Sequence, residues 1–227
     1  MTDTREHIPR LAEDDGLKTA AEFLLAEFNA LQNRAVALAN NQLSRVNFLL
    51  ILVAATLAGL GQVVNTPPLQ PYLSSIILIA SLGMLLIGLF TLRNNIDDAG
   101  ASVILFRRAG RIRLWFVEQS PQIARYVAFE YGDDRPKVDV PFLSFRGGEA
   151  VVLLINALAF CTVIVAMTIA IMPFSKLVYT IEVVVAFIVA WIGQSYYIHK
   201  VLQKGEKRSA SRVKFPYEDM RRKYEQP

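Results

Sequence analysis

Residues 149–172 read EAVVLLINALAFCTVIVAMTIAIM, and Glu149 is the only acidic or basic side chain among them. A helix on the surface of a soluble protein keeps a polar face, with charged or polar residues returning every turn or two. No such face exists here. About 20 apolar residues in helical form cross the roughly 30 Å hydrocarbon core of a bilayer, and this run is long enough to do so. It predicts a membrane-spanning helix.

Three further runs of the same character lie outward from it. Residues 47–64 and 72–92 carry no charged side chain, and residues 177–199 carry only Glu182 apart from His199 at the end. Four buried core helices of a soluble domain would be the alternative, but the remaining polar sequence is too short to cover them. The expected fold is an all-α integral membrane protein with four transmembrane helices. Residues 1–16 are polar and lack the apolar core and small-residue cleavage site of a secretory signal, so no cleaved leader is expected. The single cysteine, Cys161, falls inside the third run and has no partner for an intrachain disulfide.

Lys and Arg set the orientation of such a chain, whereas acidic residues matter little. Residues 1–46 carry five, the 65–71 connection none, residues 93–147 nine, the turn before residue 177 one and residues 200–227 nine. This imbalance places both termini and the central segment in the cytoplasm of a cell with an inner (plasma) membrane. The two outward connections are too short to hold a sensor domain.

In residues 17–46, Leu17, Ala21, Leu24, Phe28, Leu31, Ala35 and Leu38 recur at alternating spacings of four and three. That is a coiled-coil-like seam on one helix, expected to run without a break into the first span. Within residues 93–147, Ile96, Ala99, Val103, Phe106 and Gly110 continue a similar spacing, followed by Leu114 and Val117. The two segments are expected to pair as a helical hairpin, a cytoplasmic stalk. Ser120-Pro121 reads as a helix start, with a short helix over 122–131. GDDRPKVDVP at 132–141 reads as a surface loop, and Phe142, Leu143 and Phe145 are placed to touch the membrane interface.

Few residues could carry chemistry. Glu182 is an ionisable group near the outer end of the fourth span, where such groups face protein or water; it reads as a pore-lining carboxylate or as an interfacial anchor beside Lys176. Asn156 and Gln194 are intramembrane polar residues able to hydrogen-bond between helices. Arg107, Arg108, Arg111 and Arg113 form a basic cluster, FRRAGRIR. It reads either as a site for an anionic ligand or as a stalk face paired with Glu22, Glu27 and their neighbours. The basic segment 200–227 is expected to lie on anionic lipid headgroups rather than on nucleic acid, since aromatics for base stacking are sparse.

His7 and His199 are far apart in sequence, and Glu130, Asp133, Asp134 and Asp139 have no His or Cys beside them. No HExxH, CxxC, phosphate-binding loop or nucleophile elbow occurs. No metal, no cofactor and no enzymatic activity is expected.

The long N-terminal helix AEFLLAEFNALQNRAVALANNQ entering the first span, with the four-span layout, resembles small multi-pass effector proteins of bacterial antiviral systems, the SLATT and four-helix effector groups. The resemblance implies an oligomeric membrane protein that perturbs the bilayer when a cytoplasmic partner triggers it, and it carries over no functional residue. Two other classes fit the same features. One is a structural or accessory subunit anchoring a larger membrane complex. The other is a constitutive channel or transporter, against which the scarcity of intramembrane polar residues argues.

Overall fold

The computed structural model describes residues 9–137, 147–171 and 175–224, with side chains from Asp15 onward except at residue 170. Phe142, Leu143, Phe145, His7 and Asp139 lie outside the described residues. Five α-helices follow in chain order: α1 (Pro9–Val64), α2 (Leu73–Gln119), α3 (Gly148–Ile171), α4 (Lys176–Ala210) and α5 (Tyr217–Tyr224). Two 3₁₀ segments, Pro67–Tyr72 and Pro121–Tyr126, precede α2 and follow it. The described residues contain no strand, and four of the helices are long and apolar enough to cross a membrane.

Prolines punctuate the chain. Thr66 has extended backbone (φ −111, ψ 100), as steric pressure from the following Pro67 requires. Its hydroxyl donates to the Gln62 carbonyl at 2.8 Å instead of capping the next segment. Pro121 likewise opens its segment, where a missing N–H is harmless. That segment is shorter than the helix expected over 122–131: it ends at Tyr126, and Val127 is extended (φ −73, ψ 114). The chain departs there because Tyr131 is buried and meets the Tyr217 ring edge-on at 5.6 Å. Tertiary burial of one aromatic side chain overrides the local helical pattern.

The chain forms two compact units. One comprises Ala39–Gly100 and Val138–Gly205; the other comprises Met1–Leu38, Ala101–Lys137 and Glu206–Pro227. The first, the apolar unit, is built around α3. Of the most apolar stretch of α3, 44% is buried inside the chain, against 28% for α2, 11% for α1 and 6% for α4. Ala157 and Ala159 on α3 are small enough to admit their neighbours, and Val152 and Leu153 are fully buried beside Leu49 and Leu92. At the start of α3, a Cβ on Gly148 would stand 3.1 Å from a methyl of Val46. An ion pair joins Arg45 of α1 to Asp98 of α2 at 2.6 Å.

The second, more polar unit has a small core of Leu114, Val117, Ala124 and Tyr131, with Ile123, Tyr217 and Met220 against it. Gly110 of α2 lies against the loop that follows: a Cβ there would come within 2.6 Å of the Gly132 carbonyl oxygen. Only glycine permits that approach.

Along α1, Ala21, Leu24, Phe28, Leu31, Ala35 and Leu38 are half-buried or buried, while Leu17 stays exposed. The same face continues through Val46, Leu49, Leu52 and Thr56. A seam at alternating three- and four-residue spacing therefore runs from Ala21 to Leu38.

Candidate functional site

Two groups of polar side chains stand out, one in each unit. In the apolar unit, Asn156 of α3 is fully buried. Its Nδ2 donates to Oε1 of Gln194 on α4 at 3.0 Å, and the Gln194 Nε2 donates onward to the Ala190 carbonyl at 3.1 Å. The Asn156 Oδ1 has no hydrogen-bond partner among the described residues. It occupies the space above Gly88 of α2, where a Cβ would fall 1.7 Å from it. One side chain of α3 thus engages two further helices, α4 by hydrogen bond and α2 by close contact with a glycine.

Glu182 does not join this cluster. It lies twelve residues before Gln194 on α4, about 18 Å along the helix axis. Its Oε1 accepts a short hydrogen bond from the Thr168 hydroxyl of α3, and its Oε2 is buried without a partner among the described residues. Cys161, deep in α3, donates its thiol to the Val183 carbonyl at 3.4 Å and serves as a small packing residue.

Asn95 is a further buried polar residue that composition alone does not single out. This residue of α2 is fully buried, and neither its Oδ1 nor its Nδ2 has a partner among the described residues. Leaving a buried polar group unmet costs about 1–3 kcal/mol. In the sequence Asn95 looks like part of a hydrated run, Arg93-Asn94-Asn95, just past an apolar stretch. The available signal was spacing: seven residues separate it from Gly88, which puts both on one face of α2.

In the polar unit the arginine cluster divides. Arg107 is buried, and its guanidinium donates to both carboxylate oxygens of Glu206 at 2.8 Å, to the Pro136 carbonyl at 3.0 Å and, in a short bond, to the Ser209 hydroxyl. Arg111 Nε pairs with Asp133 at 2.9 Å. The Arg113 guanidinium lies over the rings of Phe28 and Phe129, 5.3 and 5.0 Å from their centroids. Arg108 is exposed. Three of the four therefore have intramolecular partners. For Arg107 and Arg111 those partners are Glu206 and Asp133, not Glu22 or Glu27, and Arg113 reaches α1 through an aromatic ring.

Asp133, expected on a surface loop, is instead the buried centre of a clasp. Its side chain is fully buried. The two carboxylate oxygens accept the backbone N–H groups of Lys214 and Phe215, each at 2.9 Å. Its own backbone N–H donates to the Phe215 carbonyl at 3.0 Å. Asp134 accepts the Tyr217 N–H at 2.7 Å, at the start of α5, where the first N–H groups of a helix have no acceptor within the helix itself. Burial by itself pushes the Asp133 carboxyl up, but the two backbone donors and the Arg111 guanidinium outweigh it and hold the group below the usual carboxylate range. The segment after α4 is thus fastened by main-chain hydrogen bonds to two adjacent carboxylates.

No three His, Cys, Asp or Glu side chains converge on a point among the described residues. Both groups of side chains hold elements together within their own unit. No family model, curated protein or solved structure matches the chain.

Proposed function

We propose that the protein is a non-enzymatic membrane effector. In this reading its four long apolar helices insert in an inner membrane with both termini in the cytoplasm. The spans assemble with further copies of the chain, and the polar unit governs whether the assembly perturbs the bilayer. The observation that carries the reading is the clasp around Arg107 and Asp133. It fastens the end of α4, through Glu206 and Ser209, and the segment after it, through Lys214 and Phe215.

Buried charge pairs contribute little net stability compared with apolar packing and are best attested as devices of register or switching. Here the pair, a buried Arg107 with a half-buried Glu206, joins α2 to α4, and both helices contribute residues to the apolar unit as well. A ligand or partner that binds the released form in preference shifts the population toward it. The marked excess of basic residues in segments 1–46, 93–147 and 200–227 supports the orientation. The low burial of α1 and α4 within one chain leaves apolar faces for lipid or for neighbouring copies. The likeness of the layout to antiviral four-span effectors supports the same class.

The test is dye release from vesicles reconstituted with the full chain. Glu206→Gln, which weakens the hold on Arg107, raises leakage several-fold over the native chain. Leakage indistinguishable between the two at equal incorporation contradicts the reading.

An accessory role as an anchor has one specific observation in its favour. Phe23, Tyr126 and Phe129 of the polar unit are 67%, 73% and 67% exposed, which offers a partner aromatic contact area. Under that role the vesicles stay tight whatever happens to the clasp.

A further inference from the structure

Between α2 and α4 in the apolar unit lies a groove of about 520 Å³, within the range of roughly 300–1,000 Å³ that holds small molecules. Leu89, Phe90 and Gly193 line it, and a Cβ on Gly193 would meet nothing within 4 Å. Gln194 forms part of the wall, but both ends of its amide are engaged by Asn156 and Ala190. One end differs. Arg93 and Tyr197 stand there, both exposed.

Neither side chain has a hydrogen-bond or ion-pair partner among the described residues. Asp97, one turn beyond Arg93, forms no ion pair with it, and Asp98 is taken by Arg45. The groove is therefore apolar along its length and ends at a free guanidinium and a free phenol.

We propose that this groove holds one anionic phospholipid, with an acyl chain along Leu89, Phe90 and Gly193 and the phosphate on Arg93 and Tyr197. The proposal rests on the membrane reading given above. A planar guanidinium presents paired donors that match phosphate oxygens. Arg93 directly follows the apolar run 72–92, at the level where headgroups lie if that run spans the bilayer. The basic flanks place this level on the cytoplasmic side, where anionic lipid is attracted to basic groups between helices. Tyrosine is at home at the same boundary.

The full chain in detergent, titrated with phosphatidylglycerol or phosphatidylcholine and examined by native mass spectrometry, tests this. The native chain retains phosphatidylglycerol about fivefold better than phosphatidylcholine, the scale of one basic contact near a headgroup. Arg93→Gln brings the two lipids level. Gly193→Leu, which fills open space, weakens both. Arg222→Gln, in the exposed part of α5, leaves the ratio as it was. Glycerol phosphate added in excess displaces nothing, since the chain in the groove supplies much of the affinity.

Equal retention of the two lipids by the native chain overturns the proposal. So does a preference that survives Arg93→Gln, one lost equally in Arg222→Gln, or displacement by glycerol phosphate. Washing membranes with alkaline carbonate separates the two levels of the argument. A chain that washes off fails the membrane reading, and a chain that stays without lipid preference fails only the lipid site.

Discussion

Asn156 of α3 sits directly over Gly88 of α2, its Oδ1 so close that a Cβ on the glycine would fall 1.7 Å away. The two residues are a matched pair: the absent side chain on one helix is the space used by the amide on the other. Gly88→Ala therefore destabilises the protein by about 1–3 kcal/mol through overpacking, read as a lower midpoint of thermal unfolding in detergent. Asn156→Ala restores room for the methyl, so the double variant falls short of the sum of the single losses. Strict additivity would show that the two side chains do not share the space.

Asn95 leads to the opposite expectation. Because its amide is fully buried and unpartnered among the described residues, Asn95→Leu removes an unmet polar group of similar volume. Its effect on the unfolding midpoint is neutral or stabilising, by up to about 1–3 kcal/mol. A clear loss of stability would mean that the amide has a partner in the working protein, such as a neighbouring copy.

The Asp133 clasp has a pH signature. Its carboxyl titrates below the ordinary carboxylate value in the folded chain. Its contribution is therefore complete above the unfolded value of about 3.9 and disappears as the pH falls through the lower folded value. Asp133→Asn costs about 1–3 kcal/mol at neutral pH. Unfolding of the two proteins compared across pH shows a constant gap from neutrality down to about pH 5, which closes as acidity increases below about pH 4. A gap that widens in acid would reverse the sign of the argument.

Gly110 supplies a more local test of the same clasp. Its close approach to the Gly132 carbonyl leaves no room for a methyl group, although alanine favours helix over glycine by up to about 1 kcal/mol. Gly110→Ala thus loosens the loop and the segment held by it, seen as faster hydrogen exchange at the Lys214 and Phe215 amides. Unchanged exchange at both would place the loop elsewhere.

The helical class and the four apolar helices were legible because hydropathy is a local property of each run. The α1 seam was legible for the same reason: its three- and four-residue spacing is written in Ala21, Leu24, Phe28, Leu31, Ala35 and Leu38, and those are the residues that turn inward. The pairing of Asn156 with Gln194 was open to anticipation as well, since polar side chains in apolar helices seek one another.

Asp133 was not legible. Its partners Lys214 and Phe215 lie 81 and 82 positions away in sequence, and nothing in GDDRPKVDVP marks one acid as buried. Arg107 fails for the same reason, its acid standing 99 residues further on. The helix expected over 122–131 stops early because Tyr131 gains more from burial beside Tyr217 than from continuing a turn.

The proposed effector role requires four spans with both ends of the chain on the inner side. Cysteine labelling in intact cells tests that most directly, with Cys161→Ala as the background and a membrane-impermeant maleimide as the probe. Leu69→Cys, in the short connection before α2, labels from outside, whereas Ser211→Cys, just after α4, labels only once the cells are opened. Labelling of Ser211→Cys in sealed cells, or protection of Leu69→Cys until opening, would contradict the account.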